Sequence, residues 1–303
     1  PLGTAIIEFI SSMNDISSRI KKLGLWKGSI DPQPITGGMT NENFLVEDDG
    51  KKFFVRLGEN ILHHHVMRFN EHAISEAAYL AGIAPKVVYK DSSAMVLEFI
   101  EGKSYSKEDI NSKSFVKIID LLKRCHNEIP KFLRGPVLSF SVFHIMRDYC
   151  KTLDERSSRW KLDLKKFIEM ADLLEKNVGK IDLVLGHNDL MCANFIDDGK
   201  RLWLVDWEYA GFNTPLFDLG GISLNAELEK KDVYKILELY FQKRNTDELL
   251  ISYHAMECAT ALRETMWSMI AEIFSKIDIN YAEYTDTNIK KFYRMYDDFK
   301  KMI

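Results

Sequence analysis

The sequence predicts an α+β chain in two lobes: a mostly antiparallel β-rich lobe with one inserted helix over residues 1–100, and a mainly α-helical lobe over residues 101–303. Three observations predict it. Short apolar runs separated by turn signals crowd the stretch from Asn43 to Phe99, the mark of antiparallel strands. Glu101-Gly102-Lys103-Ser104 breaks that pattern, and helical spacing dominates afterwards. Within the helical part, the clear strands flank one polar loop in the stretch from Leu183 to Asp206, LVLGHNDLMCANFIDDGKRLWLVD. A length of 303 residues suffices for two lobes with their own cores.

Residues 4–22 set Ile6, Ile10, Met13, Ile16 and Ile20 at three- and four-residue intervals, an amphipathic helix closed by Lys21-Lys22 and Gly24. Its polar face is rich in Ser and Asn rather than Lys, which favours a core-facing helix over one lying on a membrane. Thr36-Gly37-Gly38-Met39-Thr40-Asn41 is a turn-rich loop before a strand over Asn43 to Val46. Asp48-Asp49-Gly50 predicts a hairpin turn, and Lys52 to Leu57 the returning strand. Glu71 to Ala81 reads as helix, and Val87 to Tyr89 and Met95 to Phe99 as strands around an Asp91-Ser92-Ser93 turn. In the second lobe, helical spacing covers Phe115 to His126, Val142 to Thr152, Asp163 to Val178, Lys231 to Phe241, Leu249 to Ser275 and Thr285 to Met302.

The formal net charge of -4, from 41 basic and 45 acidic residues, argues against a nucleic-acid partner. Apolar runs fall short of the roughly 18 to 20 residues needed to span a bilayer, so no membrane partner is expected. The start, Pro1-Leu2-Gly3, has no basic n-region and carries no signal-peptide pattern. Cys125, Cys150, Cys192 and Cys258 lack C-x-x-C spacing, which points to a reducing, cytoplasmic setting without disulfides or zinc. The run His63-His64-His65, with His72 nearby, lacks the spacing of a closed metal site and reads as a solvated loop.

Chemistry concentrates in His187-Asn188-Asp189 with Asn194, and in Asp206 seventeen residues after Asp189, beyond a strand–turn–strand. This spacing matches a kinase catalytic loop and its metal-binding aspartate. Asp189 is the residue to orient a substrate hydroxyl or take its proton. His187 counts with the catalytic residues as the brace of the loop rather than as a reacting group. Asn194 and Asp206 offer oxygen ligands for Mg²⁺, a cation satisfied by few protein oxygens plus phosphate and water. Gly37, Gly38, Thr40 and Asn41 open the strand pair expected to cover a nucleotide, where glycines let backbone N–H groups approach phosphate oxygens. G-x-x-x-x-G-K-[ST] is missing, which excludes a P-loop. Arg56 ends a strand and can meet phosphate oxygens together with a helix carboxylate, Glu71 in preference to Glu76.

His187 to Asn194, Asp206-Trp207-Glu208-Tyr209 and Phe217-Asp218-Leu219 resemble the aminoglycoside phosphotransferase and choline kinase superfamily, within the protein-kinase-like fold. The closer likeness is to choline/ethanolamine kinases, which share the H-N-D loop, the D-[WF]-E-Y run and an Arg where protein kinases place Lys. The resemblance runs from Gly37 to about Tyr284. It implies ATP as donor, Mg²⁺ as cofactor and a small-molecule alcohol as acceptor. It also implies that backbone groups from Leu97 through Glu98 and Phe99 hold the adenine, and that Asp218 supports the catalytic loop. Trp267 matches the second Trp of the family's W-x-x-W motif and Tyr284 a cage tyrosine, so both are expected to face the acceptor's cationic head. Glu264 stands where the first Trp of that pair belongs. A carboxylate there can favour a cation by charge, or mark an amine that donates hydrogen bonds.

The expected activity is therefore ATP- and Mg²⁺-dependent phosphorylation of an amino-alcohol, with choline the first choice. Ethanolamine, thiamine or an aminoglycoside are alternative acceptors, and a catalytically silent binding module is the alternative of a different class. A protein kinase is disfavoured, since neither D-F-G nor an A-P-E-type segment follows Asp206.

Overall fold

The computed structural model describes residues 15–35, 41–275, 277 and 279–303. The expectations for residues 4–14 and for Gly37, Gly38 and Thr40 lie outside the described residues. The chain divides into two compact units. The described residues up to Glu59 join Pro85–Glu101 in one, and Asn60–Ala84 joins Gly102–Ile303 in the other.

The first unit is built on a five-stranded antiparallel sheet of β1 (Gln33–Ile35), β2 (Glu42–Asp48), β3 (Lys51–Leu57), β4 (Val87–Lys90) and β5 (Ala94–Glu98), ordered β1-β2-β3-β5-β4. The β2–β3 register closes on Asp48↔Lys51, leaving Asp49-Gly50 as a two-residue turn. Both turn residues are left-handed (φ 51° and 70°), which an Asp-Gly pair accommodates at low cost. Residues 15–21 are helical and lay Ile16 and Ile20 on Phe44, Val46, Val55, Leu57 and Val96 of the sheet. Each such burial contributes about 1.5–3 kcal/mol. Strand β1 carries Pro34 and escapes the sequence pattern; it sits at the sheet edge, where a missing N–H is tolerated.

The second unit carries eight helices among the described residues, labelled here in chain order. They are α1 (Arg68–Leu80), α2 (Phe115–Glu128), α3 (Val142–Glu155), α4 (Leu164–Val178), α5 (Pro215–Asn225), α6 (Lys230–Phe241), α7 (Asp247–Phe274) and α8 (Tyr281–Lys300). Helix α7 is the axis of this unit, packed by α3, α4, α5 and α8. Strands β6 (Lys103–Ser104), β8 (Phe195–Asp197) and β9 (Leu202–Leu204) form one small sheet, while β7 (Val184–Gly186) pairs with β10 (Gly211–Asn213).

Two further features differ from the sequence reading. The segment 60–84, expected within the β-rich lobe, belongs to the second unit. Asn70 of α1 explains why: its Nδ2 donates to the Ala210 carbonyl at 2.8 Å, and its Oδ1 accepts from the Leu138 N–H at 2.9 Å. Helix α5 was not among the expected helices. Pro215 occupies the first turn, where its missing N–H costs nothing, and Thr214 Oγ1 caps the Leu216 N–H at 3.3 Å. Gly220 lets α5 approach α7, as an added Cβ would lie 3.2 Å from Glu257 Cα.

Candidate active site

Strand β7 feeds directly into His187-Asn188-Asp189, and the loop is held from several directions. Asn188 is left-handed (φ 64°), a conformation that Asn tolerates better than most residues. Its side chain folds back over Gly186, where a Cβ would fall 2.5 Å from Asn188 Oδ1. From there Asn188 Nδ2 donates to the Tyr209 and Gly211 carbonyls at 3.1 and 3.2 Å. The Asp218 carboxylate, in the first turn of α5, accepts the His187 N–H at 2.8 Å and the Asn188 N–H at 2.7 Å. His126 of α2 bonds Asp218 Oδ2 through Nε2 at 2.9 Å and Tyr240 Oη through Nδ1 at 2.6 Å. Burial alone would raise the Asp218 carboxyl, but these hydrogen bonds outweigh it and hold the group below its usual range.

His187 is fully buried. Its Nε2 donates to the Val205 carbonyl at 2.9 Å, and its Nδ1 accepts the Asp189 N–H at 3.3 Å. Desolvation lowers its pKa, so the ring is held neutral between these two backbone partners. The β8–β9 register, Phe195↔Leu204, brings the backbones of Asn194 and Val205 together, with the Val205 N–H on the Asn194 carbonyl at 3.0 Å. Asn194 and Asp206 therefore emerge at the same end of the hairpin. Asp206 is left-handed (φ 70°), and Asn194 Nδ2 donates to the Asp189 carbonyl at 2.9 Å, which turns its Oδ1 away from that bond. Asp189 is pushed well above its usual carboxyl range, first by desolvation and then by the charges of Asp206 and Glu264, with Arg263 acting in the opposite sense. The three oxygen-bearing side chains are thus neighbours.

A cavity of about 90 Å³ opens on Asp189. Its walls include Glu264 and Arg263 of α7 and Tyr284, Asn288 and Lys291 of α8. Tyr284 Oη donates to Glu264 Oε1 at 2.8 Å, and Arg263 Nη1 lies 3.4 Å from Glu264 Oε2. Glu264 and Tyr284 thus share a cavity with Asp189. Trp267 does not line this cavity. It is 5% exposed, stacks on His64 at 5.0 Å and donates from Nε1 to Tyr209 Oη at 2.9 Å. Three residues along α7 from Glu264, it lies only about 60° away around the axis but about 4.5 Å further along the helix, and it packs into the core.

The histidine run is also packed rather than solvated. His64 is 4% exposed beside Trp267 and Tyr149, His63 stacks on Phe274 at 4.5 Å, and His65 Nε2 meets Asp148 at 2.9 Å. Among the described residues no group of three or more His, Cys, Asp or Glu is arranged to hold a metal, and no helix is long and apolar enough to cross a membrane. The four cysteines are unbridged.

Glu71 is buried in α1 and bonds Arg68 at 2.5 Å, while Arg68 reaches Glu208 of the Asp206-Trp207-Glu208-Tyr209 run at 3.0 Å. Arg68 escaped the sequence reading, as did the role of His126, and Glu208 was read only as part of the D-[WF]-E-Y run. In the first unit, Arg56 is 6% exposed, with Nε 3.4 Å from Asn43 Oδ1, and Asn41 precedes β2. The N–H groups of Glu98 and Phe99 already bond the Lys86 and Lys52 carbonyls at 2.9 and 3.1 Å.

The chain matches the choline/ethanolamine kinase family over residues 33–224. It is 28% identical over 257 residues to the protein LicA of Haemophilus influenzae, covering 82% of this chain and 75% of that one. Its fold is similar to that of choline kinase LicA from Streptococcus pneumoniae, with a TM-score of 0.77, 23% identity and coverage of 95% of this chain and 99% of the other. A spectinomycin phosphotransferase in complex with ADP and spectinomycin is similar at a TM-score of 0.62 and 13% identity, covering 92% of this chain and 95% of that one. The α+β architecture is thus similar to that of these solved phosphotransferases. The chain belongs to the choline/ethanolamine kinase family, phosphotransferases with an alcohol group as acceptor.

Proposed function

We propose that the chain transfers the γ-phosphoryl group of ATP to the hydroxyl of a small cationic alcohol of the choline/ethanolamine class. One observation carries the reading: two carboxylates, Asp189 and Glu264, open on one small cavity. One suits a hydroxyl and the other an ammonium group. The cavity volume, about 90 Å³, supports a compact acceptor over an aminoglycoside, since drug-sized ligands occupy roughly 300–1,000 Å³. The ADP complex of the spectinomycin phosphotransferase supports a nucleotide donor.

In this reading Asp189 orients the acceptor hydroxyl and receives its proton as the oxygen attacks phosphorus. Asp218 and His187 keep the loop from drifting, so that catalysis is mainly positioning. Asn194 through Oδ1 and Asp206 through its carboxylate are the residues to hold Mg²⁺, and two oxygens at one hairpin end fit a cation that completes its shell with phosphate and water. The ion supplies charge neutralisation of the phosphates when bound. Gly37, Gly38, Thr40, Asn41 and Arg56 remain assigned to ATP. Unbridged cysteines and an ATP donor support a cytoplasmic setting.

Choline as first acceptor rested on two ring walls, and Trp267 is withdrawn from the cavity, which leaves Tyr284 beside Glu264. The test is acceptor-dependent ADP formation with choline, ethanolamine, thiamine and an aminoglycoside at saturating MgATP. Turnover confined to the amino-alcohols is the expected result. Turnover with the aminoglycoside alone, or with none of the four, contradicts it.

A further inference from the structure

Arg263 is the least expected member of the cavity wall. Its side chain is 5% exposed, yet it carries a permanent charge into the heart of α7. Its guanidinium carbon sits 4.6 Å from the centre of the Tyr209 ring and 5.4 Å from that of Phe140. Nε and Nη2 have no hydrogen-bond acceptor, and Nη1 has only the distant Glu264 oxygen at 3.4 Å. Two ring faces hold this cation, together with the neighbouring Tyr149 hydroxyl and the Glu264 and Asp189 carboxylates. Tyr209 is in turn fixed by the Trp267 indole N–H on its hydroxyl.

A quaternary ammonium has no N–H and is recognised by ring faces, whereas a primary ammonium donates three hydrogen bonds and is recognised by oxygen. Here a protein cation already lies against the Tyr209 and Phe140 rings, and Trp267 is stacked on His64. Facing the cavity instead are the Glu264 carboxylate and the Tyr284 hydroxyl bonded to it. We propose that Arg263 is a specificity-determining residue: by seating its own guanidinium in the Tyr209–Phe140 niche, it leaves ammonium recognition to Glu264 and selects a primary ammonium alcohol over its N-trimethylated counterpart.

This inference rests on the amino-alcohol reading and deepens it. The experiment is a methylation series, ethanolamine, its N-methyl and N,N-dimethyl derivatives and choline, with kcat/KM measured at saturating MgATP. For the unmodified protein, kcat/KM falls along the series by at least about tenfold, because each methyl removes a hydrogen-bond donor from an ammonium that Glu264 must satisfy. Arg263→Met vacates the niche and compresses the fall to about threefold or less, chiefly through a lower KM for choline, whereas Arg263→Lys keeps a cation there and retains the preference. A choline preference in the unmodified protein overturns the inference and leaves the amino-alcohol reading standing. So does an unaltered ratio in an Arg263→Met protein with native circular dichroism. Absence of turnover with every member of the series overturns both. The unmodified protein alone decides the first question, so a misfolded variant does not shield the inference.

Discussion

The Asp218 carboxylate accepts the backbone N–H of Asn188 at 2.7 Å, thirty residues away in sequence and one residue before the putting-in-place of Asp189. The other Asp218 oxygen takes the His187 N–H, so the loop is gripped at two consecutive peptide groups. An Asn at position 218 would turn one acceptor into a donor facing a donor. Asp218→Asn is expected to lower kcat by about 10²-fold while nucleotide binding persists, and to destabilise the fold by about 3 kcal/mol, the scale of one charge-assisted hydrogen bond lost in the interior. Urea unfolding and nucleotide titration check the two parts separately.

Glu264→Gln removes the charge beside the acceptor cavity but keeps the shape and an oxygen for Tyr284 Oη. In the proposed reading the ammonium is bound equally in ground and transition states. The expected outcome is a rise in KM for the amino-alcohol of about 10- to 100-fold with kcat little altered. Steady-state kinetics with the acceptor varied at saturating MgATP decide this, and a kcat loss with constant KM would remove Glu264 from ammonium recognition.

Arg68 ties Glu71 to Glu208, with all three side chains at most 5% exposed. Arg68→Ala leaves two buried carboxylates facing each other without that cation. A loss of about 3–5 kcal/mol is expected, measured as a shift in urea midpoint. Arg68→Met, which fills the space, loses its charge likewise and is expected to fall in the same range.

Acid should weaken the fold through His64. Burial first, then the charges of His63 and Arg263, lower its pKa from 6.5 to about 2. The folded protein therefore resists protonation there, whereas the unfolded chain takes up a proton below pH 6.5. The stability contributed by neutral His64 is fully present above that pH and is lost as pH falls toward 2, reaching a loss of about 2 kcal/mol near pH 5. His64→Phe should shrink the difference in unfolding free energy between pH 7 and pH 5 by about that amount. An unchanged difference would mean that His64 is protonated in the folded protein.

What could be read in the chain beforehand was local. Asp49-Gly50 prefers the left-handed turn that joins β2 to β3, and the Asn and Asp of the catalytic segments suit the left-handed φ that Asn188 and Asp206 adopt. Spacing alone brought Asp189, Asn194 and Asp206 together, because one short hairpin lies between them. Non-local partners were illegible. His126 and Asp218 are 92 residues apart, and the only cue was a His beside Cys125 on the apolar face of α2. Trp267 repeats at helical spacing with Glu264, and which of the two turns to the cavity depends on how α7 is rotated by α3, α4, α5 and α8. The histidine run looked solvated because its partners, Trp267, Tyr149 and Phe274, come from distant helices.

The role of Asp189 is tested most directly by phosphotransfer in Asp189→Asn, with ADP formation followed at saturating MgATP and ethanolamine or choline. A positioned carboxylate that takes the hydroxyl proton contributes about 10²–10⁴-fold. A loss of turnover of that size with nucleotide affinity within about twofold of the unmodified protein is the predicted result. Turnover within a few-fold of the unmodified protein would contradict it.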